Sequence, residues 1–200
     1  FGADLPKIAA DWTFDGNGKE IWGEDQPFQK GRGSASYCCL PPPVFADNKL
    51  YLLFCFDDAI GARPHKAFLT AINPVNGLAA GKRLLWKTPD ITNGTLSPQA
   101  AADGLIYLGD KNGGFHCLDA QTGQSVWKLD LKGEHWGGAL IADGRIYAGT
   151  NRRMFYVLQA GREPKILSEI EMPDAVFAGA SAANGTLFVA GNGFLYAVEK

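Results

Sequence analysis

Four times along the chain an apolar run ends in a two-residue polar turn, and a second apolar run follows at once. The segments are PPPVFADNKLYLL (41–53), SPQAAADGLIYLG (97–109), GGALIADGRIYAG (137–149) and AGASAANGTLFVA (178–190). Their central pairs are Asp47-Asn48, Asp103-Gly104, Asp143-Gly144 and Asn184-Gly185. Such pairs accept positive φ and close hairpins whose twist matches the flanking strands. An aromatic follows each turn in step, at Tyr51, Tyr107, Tyr147 and Phe188, and the turns lie 56, 40 and 41 residues apart. A third apolar run recurs as FLTAIN (68–73), FHCLDA (115–120), FYVLQA (155–160) and LYAVEK (195–200). A fourth follows as RLLWKT (83–88), QSVWKL (124–129) and KILSEI (165–170).

Four short antiparallel strands in each ~40 residues is the pattern of a β-propeller blade. A single blade cannot cover both of its apolar faces, and stacking blades around an axis does so. The fold class expected is therefore all-β, a propeller of four-stranded antiparallel blades with about four blades present. The expected blades span 38–93, 94–133, 134–173 and 174–200. Residues 1–37 are expected to supply outer strands of a preceding or closing blade, around Trp12 or Trp22, plus a loop. The excess of the first spacing falls in the loop Asp57 to Lys66 and the segment Val75 to Lys82. Aligning blades on their turns puts Cys39, Thr95, His135 and Val176 at one equivalent position, and Leu40, Leu96, Trp136 and Phe177 at the next.

Composition removes the other classes. The 25 Gly and 11 Pro among 200 residues are scattered, so almost no stretch is long enough for an ordinary helix of ~10–12 residues. No run of ~20 apolar residues exists, so no membrane-spanning helix is expected. A net charge of −2 gives no electrostatic footprint for nucleic acid. The chain opens with Phe1-Gly2-Ala3-Asp4 rather than Met, and is expected to be a processed or cut chain.

The run CLDAQTGQSVWKL (117–129), with ADGLIYLGDKNGGFH (102–116) before it, resembles the repeat of pyrroloquinoline-quinone-type (PQQ-like) β-propellers. Asp119, Thr122, Gly123 and Trp127 match that motif in full, while the first blade keeps Trp86 and the third carries Ser168 instead. The resemblance implies that Asp119 and Gly123 build a tight turn and that Trp86 and Trp127 dock onto the next blade. Residues 136–172 resemble more narrowly a group of uncharacterised exported bacterial PQQ-like repeat proteins, in which such a segment forms the C-terminal half of a longer chain. That implies a periplasmic or envelope-associated protein and a ring of seven or eight blades, the remainder supplied elsewhere. Membership does not confer the cofactor: many such propellers, including the outer-membrane assembly lipoprotein, bind proteins and no quinone.

The chemistry-bearing residues are few. None of Cys38, Cys39, Cys55 and Cys117 forms a C-x-x-C pair, which argues against zinc ribbons and thioredoxin-like sites. Quinone-dependent dehydrogenases of this repeat family pair PQQ with calcium, a catalytic Asp and a vicinal disulfide, and Cys38-Cys39 is similar to that last feature, although the leading reading of the pair is two incidental free thiols just before an inner strand. It is expected to be the only cysteine pair near enough to oxidise without moving a blade. Glu134, His135 and Trp136 form the most polar and aromatic of the segments leading into a blade. Together with Cys38 and Cys39 they make the candidate binding face near the channel mouth. A packing Trp beside a solvated His competes with proton transfer, and no nucleophile or metal partner accompanies them. Arg152-Arg153 with Arg162 and Lys165 reads as a solvated basic face. The segment GLAAGKR (77–83) departs from a phosphate loop in spacing and in Arg83. The leading expectation is a non-catalytic propeller with a protein partner and no cofactor. The alternative is a quinone-dependent oxidoreductase, or a remnant of one, using PQQ with calcium.

Overall fold

The computed structural model describes residues 13–14, 20–21, 37–38, 41–56, 66–75, 78, 82–89, 91–92 and 97–199, among which every regular element is a strand. The four turns set the architecture. Asp47 and Asn48 have φ of 49° and 55°, Asp103 and Gly104 of 51° and 71°, Asp143 and Gly144 of 50° and 67°, and Asn184 and Gly185 of 51° and 79°. Left-handed backbone at both central residues is the two-residue hairpin turn whose twist agrees with that of its strands.

A two-residue pair, β1 (Thr13–Phe14) and β2 (Glu20–Ile21), forms a separate ribbon. The first blade holds β3 (Tyr37–Cys38), β4 (Val44–Ala46), β5 (Lys49–Phe56), β6 (Lys66–Ile72), β7 (Leu84–Lys87) and β8 (Ile91–Thr92). Its two central strands are longer than in later blades, so β3 and β4 both pair with β5, and β7 and β8 both pair with β6. The second blade is β9 (Ala100–Ala102), β10 (Leu105–Gly109), β11 (Gly114–Asp119) and β12 (Ser125–Asp130), paired in sequence order. The third repeats this with β13 (Leu140–Ala142), β14 (Arg145–Gly149), β15 (Met154–Gln159) and β16 (Ile166–Glu171). The fourth has β17 (Ser181–Ala183), β18 (Thr186–Ala190) and β19 (Leu195–Glu199). All pairs are antiparallel, and the fold is a β-propeller.

Alternation along each strand divides its side chains between two neighbouring blades. On β10, Ile106 and Leu108 join Tyr51, Leu53, Leu69 and Ala71 of the first blade. Leu105 and Tyr107 point the other way, toward Ile146, Ala148, Tyr156 and Leu158 of the third. Sandwiched on both faces, all five residues of β10 are buried. Phe155 continues the series against Val176 and Val189 of the fourth blade. By contrast, all six residues of β16 are exposed.

Candidate functional site

The register of the outer strands identifies the blade-docking positions. A bulge recurs on the third strand between Ala71 and Ile72, Cys117 and Leu118, and Val157 and Leu158. Beside it the fourth strand presents Trp86, Trp127 and Ser168 in turn. Trp86 Nε1 donates to the Ala120 carbonyl at 3.2 Å, and Trp127 Nε1 to the Gly161 carbonyl at 2.9 Å. Each indole thus reaches the turn after the third strand of the following blade. Tyr51 and Tyr107 tilt against these indoles at 5.9 Å between ring centroids. Asp119 shapes one receiving turn: its Oδ1 accepts from Gln121 N, Thr122 N and Thr122 Oγ1 at 3.0, 3.1 and 3.2 Å. Arg162 pairs with its other oxygen. These hydrogen bonds, that of Arg162 first, hold the Asp119 carboxyl below its usual range. Gly123 has φ of +72°, and a Cβ there would lie 2.6 Å from the Trp86 ring, so both conformation and space require glycine.

At the blade end where the strands β10–β11, β14–β15 and β18–β19 turn, the segments leading into the third and fourth blades lie side by side. His135 N donates to the Asp110 carbonyl at 3.1 Å, and Val176 N to that of Thr150 at 2.9 Å. Their side chains sit over Gly109 and Gly149, where an added Cβ would come within 2.2 Å of His135 Cβ and of Val176 Cγ1. His135 is 1% exposed and meets Phe115 edge-on at 5.4 Å. The expected solvated histidine is therefore corrected: its ring fills a packing seat that Val176 fills in the next blade. Burial pushes its pKa down to about 4. Neither ring nitrogen makes a hydrogen bond of normal geometry. The Gly149 backbone favours the charged ring, and burial outweighs it.

Extended chain sends residues on either side of a buried one to the same outer face. Glu134 and Trp136 do this, and Trp136 Nε1 donates to Glu134 Oε2 at 2.7 Å. Phe177, the equivalent of Trp136 one blade on, meets that indole edge-to-face at 5.8 Å and 86°. The structure thus brings Glu134 and Trp136 together, adds Phe177, and removes His135 from the surface. Phe177 stood in the aligned repeat, but only the assembled blades show that the two rings touch.

Below this face lies a polar group that the sequence did not single out. Asp110 is fully buried and accepts from Asn112 N and Gly114 N, each at 2.8 Å, and from His116 Nε2 at 2.9 Å. Burial would raise its pKa, but the hydrogen bonds from His116, Asn112 and Gly114 outweigh it and hold the carboxyl below the usual range. The signal was present as a short Asp-x-Asn-Gly-Gly hairpin turn followed by a histidine.

Cys39 lies outside the described residues, and Cys38 is described by its backbone in β3. That backbone stands in register with Cys55. The expectation that Cys39 alone neighbours Cys38 is corrected accordingly: the long first-blade strands carry a second cysteine alongside it. Cys117 is buried with a free thiol, and burial pushes its pKa up to about 12, so it is a packing residue. Among the described residues no three His, Cys, Asp or Glu side chains gather as metal ligands. Where Ser168 replaces the docking Trp, a cleft of about 760 Å³ separates the third and fourth blades, with Tyr147, Leu167, Ile170 and Leu187 among its walls.

Residues 69–163 match the family described as outer membrane protein assembly factor BamB. BamB from Moraxella catarrhalis superposes with a TM-score of 0.58 at 13% identity, over 78% of this chain and 41% of that one. The chain thus spans well under two thirds of that relative. The computationally designed Ika4 protein superposes with a TM-score of 0.61 at 11% identity, over 85% of this chain and 94% of that one. No curated protein matches the sequence. At these identities the solved structures establish the propeller fold.

Proposed function

We propose that this chain, which belongs to the PQQ-like β-propeller repeats, is a non-catalytic protein-binding or scaffolding module of the bacterial envelope. The observation that carries the reading is the Trp136–Phe177 pair, two large aromatic rings left 41% and 42% exposed at the face where successive blades meet. Rigid aromatic anchors of this kind dominate protein interfaces because they bury much area at little entropic cost. The family match over residues 69–163, to an outer membrane assembly factor, supports the envelope location. Cys38 and Cys39 belong to the proposal as the further members of the same face, and His135 supports it from beneath.

The test is site-specific photocross-linking from position 178, exposed and adjacent to Phe177, with Trp136 and Phe177 intact or both replaced by Ala. A saturable cross-link to one envelope protein, lost in the double variant while the fold persists, supports the reading. A cross-linking pattern indifferent to both rings defeats it. Quinone- and calcium-dependent dye reduction by the purified chain would instead favour the oxidoreductase.

A further inference from the structure

We propose that Glu134, Trp136 and Phe177 form a seat for a guanidinium group, an arginine side chain presented by the protein partner. The inference rests on the binding reading of this face and narrows it to one chemistry. Two aromatic rings set nearly at right angles make a corner with ring surface open to solvent. A carboxylate is fixed at its edge by the indole N–H, which occupies Glu134 Oε2 and leaves the other oxygen to accept. Among the described residues that carboxylate has no cationic partner, whereas Glu171 and Asp119 are taken by Arg153 and Arg162. The neighbouring acid, Asp174, is already engaged by Gly193 N and Tyr196 OH at 2.6 and 2.7 Å.

A purely apolar anchor would cover the rings and strip water from the carboxylate with nothing in exchange, which is costly. A cation satisfies both, since aromatic faces attract positive charge and the indole does so best. Guanidinium adds a plane that stacks on a ring and N–H groups that a carboxylate accepts. The seat is also held in place before anything binds. Glu134 N donates to Asn151 Oδ1 at 2.9 Å, Asn151 N returns to the Glu134 carbonyl at 3.1 Å, and His135 is locked beneath. Little freedom is lost on binding.

The experiment labels the protein with 5-fluorotryptophan and assigns the Trp136 resonance with Trp136→Phe. Titration with acetyl-Gly-Arg-Gly-amide is expected to move that resonance saturably. The citrulline analogue, similar in shape but uncharged, is expected not to. Glu134→Gln keeps an acceptor for the indole and should weaken the peptide about fivefold. The absence of a saturable shift, an equal response to citrulline, or unchanged affinity in Glu134→Gln overturns the proposal. Cross-linking to the envelope partner separates the two readings. Capture that needs both rings but ignores Glu134→Gln keeps the binding face and removes the arginine seat, whereas capture indifferent to the rings removes the face itself.

Discussion

His135 and Val176 occupy the same seat in consecutive blades, each pressed onto a glycine that ends the second strand of the blade before it. Backbone and Cβ atoms meet there, so neither side can yield by a change of rotamer. Gly109→Ala and Gly149→Ala are each expected to destabilise the fold by about 2–3 kcal/mol, the scale of overpacking a close core contact. Urea unfolding reads this as a lower midpoint at unchanged slope. Adding His135→Gly to Gly109→Ala should recover part of the loss, and a midpoint that ignores Gly109→Ala would show that the seat is loose.

The same seat makes the fold acid-sensitive. The folded-state pKa of His135 is lowered to about 4 from 6.5, chiefly by burial. A depressed pKa means that the unfolded chain takes up the proton first, so stability is complete above pH 6.5 and falls as pH drops toward 4. The shift corresponds to about 3 kcal/mol once pH is below the folded value. The Asp110 carboxyl, also depressed, adds loss at still lower pH. In His135→Val, which copies the side chain of Val176 into this blade, the decline between pH 6.5 and 4 should largely vanish. Parallel stability curves for the two proteins would exclude His135 as the source.

Trp127→Ala should cost ~3–5 kcal/mol, because it empties a nearly buried indole site and orphans the Gly161 carbonyl. Trp127→Phe keeps most of the packing and should lose nearer 1 kcal/mol, the worth of one hydrogen bond. Thermal and urea denaturation decide this. Equal losses in the two variants would mean that the hydrogen bond, not the ring, holds the blades together.

At the third hairpin, Gly144 has φ of +67° with open space where a Cβ would stand. Conformation alone therefore selects glycine. Gly144→Asn should be nearly neutral, whereas Gly144→Val should cost about 1–2 kcal/mol through backbone strain. A valine variant as stable as the asparagine one would contradict the turn geometry.

The strands and turns were readable in the sequence because both are local: alternation and Asp-Gly or Asn-Gly pairs act within a few residues. The equivalence of Trp86, Trp127 and Ser168 was readable because the repeat preserves spacing. The seat of His135 was not, since a histidine on an extended segment looks alike whether it faces water or a glycine 26 positions earlier. Nor was the contact of Trp136 with Phe177, which depends on how far one blade turns from the next. Glu134 beside Trp136 could have been paired by the two-residue period alone.

The docking hydrogen bonds have a direction in time as well as in space. Trp86 bonds a carbonyl 34 residues later, and Trp127 does the same. On the ribosome each blade can pair its own four strands but must leave its indole undocked until the next blade's third strand has emerged. The first two blades are therefore each finished by a successor, and a pause that leaves Trp127 outside the ribosome with residue 161 still inside it would hold that indole in the open, ready for a chaperone.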